Sequence, residues 1–400
     1  MRAYKVELDP TKMQISEFVK YADVARWTWN FAVGRSQEVR EWNRLPLVHM
    51  KYPNAMVLAK EVVRLKHTTC PWLSEMSKCV SQETLRDFDR AVKRVFDAGF
   101  GFPKFKSKKW AKKSFTLTSI IPKKPQIVIE ASRIKLPTLG WIRLKEHDYI
   151  PTEGVKIFSA TVSETAGRWF VSVQVDDHIE PIPVPINAPI IGVDQGIKAD
   201  NMLVLSTGKI YTSPRALRTN ERKLKRLQRS KDRKQKGSNN RAKALLKIAR
   251  QHFKITNIRK DALHKATTEM AKAQAIYVVQ TQAVRAMMSN HHLAKSIADA
   301  GMSEVVRQLE YKVTWYGSKI IKADQYYPSS QLCSNCGRKH SEMKDLRSDL
   351  RCDCGLVIDR DLNAAINLSR WPMVCRTLET PVENVERSLK QEPSLYNGGI

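Results

Sequence analysis

The fold is decided by one stretch: Cys333-Ser334-Asn335-Cys336, then Cys352-Asp353-Cys354-Gly355, then Asp359-Arg360-Asp361-Leu362-Asn363-Ala364-Ala365. Two close thiol pairs separated by fifteen residues suit tetrahedral thiolate coordination of one Zn2+, each pair turning on a tight knuckle and the loop between them closing the site. Ser334, Asn335 and Gly337 are residues that such knuckles use. The second pair is tighter than usual, with one residue between its cysteines rather than two, but four sulfurs are still available. A set of buried free thiols is the competing reading. A small zinc ribbon is predicted over residues 331–356, with Cys333, Cys336, Cys352 and Cys354 as ligands of a structural ion.

Downstream, the carboxylates Asp359 and Asp361 precede small Ala364 and Ala365 and an amphipathic run through Ile366 and Leu368. This reads as a metal-binding acid delivered at the start of a helix. Here the sequence resembles the TnpB family, insertion-sequence-encoded relatives of type V CRISPR effectors. In that family a zinc ribbon inserted in a RuvC-like nuclease domain precedes an Asp-Arg-Asp-x-Asn-Ala-Ala signature. The resemblance implies that Asp361 is the third catalytic acid, Asp359 a neighbour within the motif, and a guide RNA the partner that reads sequence.

A chain of 400 residues with 42% hydrophobic residues can bury substantial cores and predicts two or three domains. With 69 Lys plus Arg against 40 Asp plus Glu, the formal net charge is +29, which points to a nucleic-acid partner. A membrane surface would attract the same charge, but the sequence has no apolar run of bilayer length and no secretory segment after Met1. A soluble intracellular protein is expected, cytoplasmic and nucleoid-associated in a prokaryote by the resemblance. Cys70, Cys79 and Cys375 are scattered and do not suggest a disulfide framework.

Tyr4, Val6 and Leu8 alternate with Lys5 and Glu7 as a short strand. Asp9 and Pro10 then read as a helix start, a capping carboxylate followed by proline at the first helical position. Ile15, Phe18, Val19, Ala22 and Trp29 form a core-facing stripe. Helical segments continue to about Phe115, interrupted near Pro46, Pro53 and Pro71. On one of them Lys78, Gln82 and Arg86 recur at helical spacing, giving either a solvated polar face or one that reads base edges. The resemblance implies that this helix helps recognise the short duplex motif beside the target. Phe100, Phe102, Phe105 and Trp110 interleave with Lys104, Lys106, Lys108, Lys109, Lys112 and Lys113, combining phosphate-binding charge with aromatic platforms.

From Ser114 to Asp177 the period becomes two, with strands around Ile127 to Ile129, Ile134 to Leu136, Trp141 to Leu144 and Trp169 to Val175, and turns at Gly140 and Gly167. A small β-barrel or sandwich is predicted from residues 1–10 and 114–180, closed by the opening strand, with helices of 11–113 inserted into it. The resemblance makes these a wedge barrel and a helical recognition lobe.

Pro181, Pro183, Pro185 and Pro189 mark a linker. Ile190-Ile191-Gly192-Val193-Asp194 is then an apolar run ending in an acid, followed by Gly196 and a second strand from Met202 to Leu205. A strand aspartate among apolar neighbours is costly unless it binds something, and an RNase H-like fold places its first metal ligand there; a turn-capping role is the alternative. The stretch from Gly192 to Lys198 also resembles the family closely. Between residues 215 and 260 a basic helical pair, including Arg226, Arg229 and Arg233, bends at Gly237 to Asn240. Either it lies along RNA or an RNA–DNA duplex or it is a solvated hairpin. An α/β RuvC-like domain is therefore expected over 187–330 and 357–370, with a poorly ordered tail over 371–400.

The strand Ile276 to Gln280 carries the chief departure from the family. Aligned on Ala286-Met287-Met288, Gln280 falls where the second catalytic acid, a Glu, normally stands. That centre holds two Mg2+ ions about 3.5 to 4 Å apart, and an amide supplies no charge to it. Glu304, Glu310 and Asp324 are the remaining acids nearby, but Val305, Val306, Leu309 and Val313 set the buried face of the helix bearing the first two. The expected function is RNA-guided binding of duplex DNA by a single protein copy, with cleavage weak or absent and action by occupancy, as in transcriptional repression. An active RNA-guided endonuclease of a transposable element, using a substitute acid, is the alternative. An RNase H-like transposase working without RNA is a more distant one. On the sequence alone, Gln280→Glu would restore the acid set.

Overall fold

The computed structural model describes residues 2–109, 111–119, 126–178, 180–198, 200–340 and 349–377, so Trp110 and the tail from 378 lie outside the described residues. Two compact units form, Met1–Ile179 and Glu180–Ile400. No helix among the described residues is long and apolar enough to cross a membrane.

The first unit begins with β1 (Arg2–Asp9), continues through α1 (Lys12–Trp42), α2 (Ala55–His67) and α3 (Lys78–Ala98), and returns to strands. These are β2 (Ser114–Thr118), β3 (Val128–Glu130), β4 (Arg133–Leu136), β5 (Gly140–Leu144), β6 (Lys156–Thr165) and β7 (Arg168–Asp176). They make one antiparallel sheet in the order β2-β6-β7-β1-β5-β4-β3. The three α-helices thus lie between two strands of one sheet, and closure of that sheet into a barrel is not seen among the described residues. β1 is central and bridges β7 to β5, while β2 and β3 stand at opposite ends of the strand order and do not pair among the described residues. The long strand β6 escaped the sequence reading because Ser159, Ala160, Thr161 and Ser163 dilute its apolar alternation. Ala166 and Gly167, both at positive φ, supply the tight turn that folds it back on β7.

The start of α1 also differs from expectation. Asp9 ends β1, and the helix is capped by Thr11, whose hydroxyl accepts from the Gln14 backbone N–H at 3.3 Å while the Gln14 side chain accepts from Thr11 N–H at 3.0 Å. A reciprocal pair satisfies two end donors, whereas Asp9 is held extended by its pairing with Arg143. Phe18 and Ala22 are buried, Val19 and Trp29 partly so, and Ile15 is exposed. The Phe18 ring meets Trp169 edge-on at 5.1 Å, tying α1 to the sheet.

The second unit contains β8 (Ile190–Gln195), β9 (Leu203–Leu205), β10 (Ile210–Tyr211), α4 (Ala216–Asp232), α5 (Asn239–Lys272) and β11 (Ile276–Gln280). α6 (Val284–Met287), α7 (Ala294–Ala300), α8 (Met302–Tyr316), β12 (Lys319–Ala323), β13 (Leu350–Arg351), β14 (Val357–Ile358) and α9 (Arg360–Thr377) follow. The main sheet runs β10-β9-β8-β11-β12, with β8, β11 and β12 parallel and β9 and β10 antiparallel. Strand alternation divides it into two faces. Ile191, Val193, Tyr277 and Val279 pack with Leu263 and Met270 of α5 and Val305 and Leu309 of α8. On the other face Ile190, Val278 and Ala323 pack with Leu368 and Trp371 of α9. α9 continues to Thr377 with Pro372 inside it, past Arg370, where the tail was expected to begin.

At Gly192 β8 runs tight against α9: a Cβ there would lie 1.8 Å from the Ala365 carbonyl oxygen and 2.5 Å from the Ser369 nitrogen. Both obstacles are backbone, so relief requires moving the helix. Gly192→Ala is expected to cost about 3 kcal/mol, the upper end for overpacking, and to lower the melting temperature of this unit by roughly 6 to 12 °C. A thermal melt unchanged from the native protein would show that α9 does not press on the strand.

Candidate functional site

The three positions read as acid-site residues are brought together where β8 and β11 end. Asp194 is the penultimate residue of β8 and shares the α9 face with Gly192. Val279 pairs with Val193, so Gln280 stands on the neighbouring strand beside Asp194. Asp361 lies in the first turn of α9. That turn is set by Asp359, whose carboxylate accepts from the Asp361 and Leu362 backbone N–H groups at 2.9 and 3.0 Å. Asp359 is therefore a helix cap, which frees Asp361 to face the strands. Asp361 accepts from Lys198 Nζ at 3.2 Å and Asn201 Nδ2 at 3.1 Å. Burial, and then the Asp361 charge, push the Asp194 carboxyl up to about 7, against the opposing pull of Arg360 and Lys198. The two carboxylates thus feel one another's charge, and Asp194 is the one reluctant to ionise.

The third position is differently employed. Gln280 Nε2 donates to the Tyr327 carbonyl at 2.7 Å and the Gln325 carbonyl at 3.1 Å, with the Asp324 carbonyl at 3.3 Å. Its Oε1 accepts from Ser329 Oγ at 3.1 Å. Each of the acids considered as a substitute has a partner of its own. Glu304 is bound by Arg307 and Gln308, which hold it down at about 2, and Glu310 pairs with Lys322 at 2.5 Å. Lys322 is the cross-strand partner of Val279, which packs on α8, so both glutamates belong to the face opposite Asp361. Asp324 turns its carboxylate onto the Tyr326 N–H at 2.7 Å. Among the described residues, the one group of three or more ligand side chains placed to share an ion is the four cysteines, whose sulfurs all lie within 4.8 Å of one another.

In that group the Cys333 and Cys354 sulfurs are 3.6 Å apart, as are those of Cys336 and Cys352. Four sulfurs each about 2.3 Å from a tetrahedral zinc would be about 3.8 Å from one another, so the donor set fits the ion. Gly337 and Gly355, at φ 76° and 89°, make the knuckles, their N–H groups each donating at 2.9 Å to the first cysteine of the preceding pair. The single-residue spacing of Cys352 and Cys354 is thus accommodated. The Leu356 N–H and the Asn335 amide pull the Cys354 thiol down. Against the Cys354 backbone N–H, burial and hydrogen bonds with the neighbouring thiols push Cys352 up, so without an ion the four sulfurs share their protons unequally.

The sequence reading missed what fastens this ribbon. Asn363 Oδ1 accepts from the Ser334 N–H at 2.8 Å and its Nδ2 donates to the Leu332 carbonyl at 2.7 Å. One turn on, Asn367 Nδ2 donates to the Ser329 and Leu332 carbonyls at 2.8 and 2.7 Å. Both asparagines are buried. Their i, i+4 spacing beside alanines in an otherwise apolar run was the available signal, since a buried amide must find partners.

The positions read as nucleic-acid contacts are elsewhere on each unit's surface. Lys78, Gln82 and Arg86 lie exposed along α3, opposite its buried Val80, Leu85 and Phe88, and Arg86 pairs with Glu83. Phe100 and Phe105 are exposed, whereas Phe102 lies against Tyr52 and Arg40. In the second unit Arg226, Arg229 and Arg233 line a groove of about 980 Å3 along α4, together with Arg222, Lys223, Lys225 and Lys234. Leu224 turns inward to pack near Ile255 of α5, leaving the cations on the outer face.

Residues 160–291 match the family described as "Probable transposase", residues 1–44 a "Helix-turn-helix domain", and residues 303–368 the "Cas12f1-like, TNB domain". Residues 1–44 here are one strand and one continuous helix of 31 residues. A "Putative RNA-guided DNA endonuclease" of Streptomyces pristinaespiralis is 33% identical, the alignment covering 100% of this chain and 98% of that protein. The "Putative RNA-guided DNA endonuclease InsQ" of Escherichia coli K12 is 32% identical over 98% of each. Among solved structures, one titled "Cryo-EM structure of the Cas12f1-sgRNA-target DNA complex" shares the fold, with a TM-score of 0.56 over 88% of this chain and 82% of that one, at 14% identity.

Freshly purified protein is expected to carry one zinc per chain by elemental analysis. Cys336→Ser or Cys354→Ser should lower that to well below half, because a closed site loses a ligand that water replaces poorly. Native protein free of zinc would mean that the four thiols are merely packed together.

Proposed function

The chain belongs to the TnpB family, and on that premise we propose that it is an RNA-guided, duplex-DNA-binding protein whose own cleavage is weak or absent and which acts by occupying its target. Gln280 carries this reading. A RuvC-like centre needs a third carboxylate to hold its ions, and here an amide stands in that place with its hydrogen bonds already committed. The parallel strands with an acid at the end of the first and another at the start of α9 fit an RNase H-like domain, interrupted by the ribbon. In the same reading the sheet of the first unit is the wedge and α1 to α3 the recognition lobe. Lys78, Gln82 and Arg86 then read the adjacent DNA motif, and the α4 groove follows the phosphates of the guide RNA or its hybrid with the target. One protein copy per RNA, in a prokaryotic cytoplasm at the nucleoid, completes the proposal.

Mg2+ enters only as far as the donors allow. Asp194 and Asp361, the latter oriented by Lys198 and Asn201, would hold a single divalent ion, and among the described residues no third carboxylate joins them to make a three-acid group. The names of the relatives favour a second reading, an active RNA-guided endonuclease. The commitments of Glu304, Glu310 and Asp324 weigh against it, since each already has its partner.

Sequencing RNA that copurifies with the protein gives the guide, and a plasmid carrying its match tests both readings. Tight, guide-dependent binding without Mg2+-dependent cutting is expected; full-rate cutting would overturn occupancy in favour of the endonuclease, and absence of RNA would remove the whole reading. Neutralising Arg226, Arg229 and Arg233 together should flatten the salt dependence of RNA binding by about one unit of slope per lost phosphate contact. Alanine at Lys78, Gln82 or Arg86 should relax preference for the adjacent motif by about 1 to 3 kcal/mol where the side chain meets a base. Equal weakening for every sequence would assign it to phosphate instead.

A further inference from the structure

From the hydrogen bonds of its side chain we infer that Gln280 is the clasp joining the nuclease-type sheet to the stem of the zinc ribbon, so that the third acid position is closed rather than empty. The inference rests on the reading that position 280 is where the family's second acid stands. It deepens that reading by saying what the amide does there.

β12 ends at Ala323, the cross-strand partner of Gln280, and the chain must then leave the sheet to reach Cys333. Residues 324–329 make that passage, and Gln280 spans them: Nε2 against the Tyr327 and Gln325 carbonyls, Oε1 under the Ser329 hydroxyl. The far side of the same passage is held by α9. Asn367 takes the Ser329 carbonyl, the Tyr327 hydroxyl donates to the Asn367 carbonyl at 3.3 Å, and the Tyr327 and Trp371 rings meet at 4.7 Å. The stem is thus gripped between the end of β11 and the helix that bears Asp361.

This geometry distinguishes an amide from an acid. A carboxamide offers donors to the carbonyls and an acceptor to Ser329, and both are used. A carboxylate has acceptors only. Gln280→Glu would retain the Ser329 bond but set an anion against the Tyr327 and Gln325 carbonyl oxygens, which would lose their donor. The isosteric change therefore opens the clasp instead of rebuilding a three-acid centre, and the loosened stem connects directly to the zinc knuckle at Cys333.

The test compares full-length, zinc-loaded native protein with Gln280→Glu, Gln280→Ala and Ser329→Ala, by hydrogen exchange over residues 324–333, by the rate at which a chelating dye removes zinc, and by the number of Mn2+ ions bound beyond zinc. Both Gln280 variants are expected to exchange and to lose zinc several-fold faster, Ser329→Ala less so, and Gln280→Glu to bind no more Mn2+ than the native chain. Native-like exchange and zinc release in both Gln280 variants would overturn the clasp. An added Mn2+ in Gln280→Glu would overturn the closed position. Because none of these readouts involves RNA or DNA, they stand or fall apart from guide-dependent binding: a protein that carries no guide refutes the proposed function without moving them.

Discussion

The backbone of α9 lies directly on β8 at Gly192, with no room between them for a single carbon. Much of the second unit depends on that contact. It fixes the depth of the helix, and so brings Asp361, one turn before Ala365, to the end of the strand that carries Asp194. It also fixes Asn363 and Asn367, which face the other way along the same helix and hold the ribbon by its backbone. A side chain at 192 would thus disturb the Asp194–Asp361 region and the four-cysteine ribbon at once. The small alanines of the Asn363-Ala364-Ala365 run serve the same closeness: both are fully buried, and larger residues would lever the helix outward.

What was legible in the sequence follows from how local each signal is. Cysteine spacing, the glycines of the knuckles, the apolar runs of β8 and β11 and the charge of α4 are all short-range patterns, and each element lies where its pattern put it. Less legible were features decided by partners distant in the chain. Which strands end the first sheet, β2 and β3, depends on pairings across the chain that no strand pattern encodes. The helix cap at Thr11 rather than Asp9 was set by Gln14 completing a reciprocal pair, together with a strand that held Asp9 extended. At the site, the positions of Asp194, Gln280 and Asp361 could be read from motif and resemblance. The partners of Gln280 could not, because its bonds go to backbone carbonyls more than forty residues away and carbonyls have no residue identity to recognise.

Binding and cutting, in the proposed function, rest on quite different numbers of groups. Attachment to a nucleic-acid backbone is a sum over many exposed cations, such as those along α4, and each contributes a modest, salt-sensitive share. Cleavage in a RuvC-like centre rests on three carboxylates whose charges must all be present to hold ions against their mutual repulsion. Removing one acid therefore abolishes far more of the second property than of the first, and a chain can keep its charge and fold while giving up its chemistry. The clasp adds a physical asymmetry to that loss. Once the amide has donated to the carbonyls of the ribbon stem, return to an acid is no longer a change of one atom in an otherwise waiting site: the stem itself would need new donors before a carboxylate could turn toward the ions.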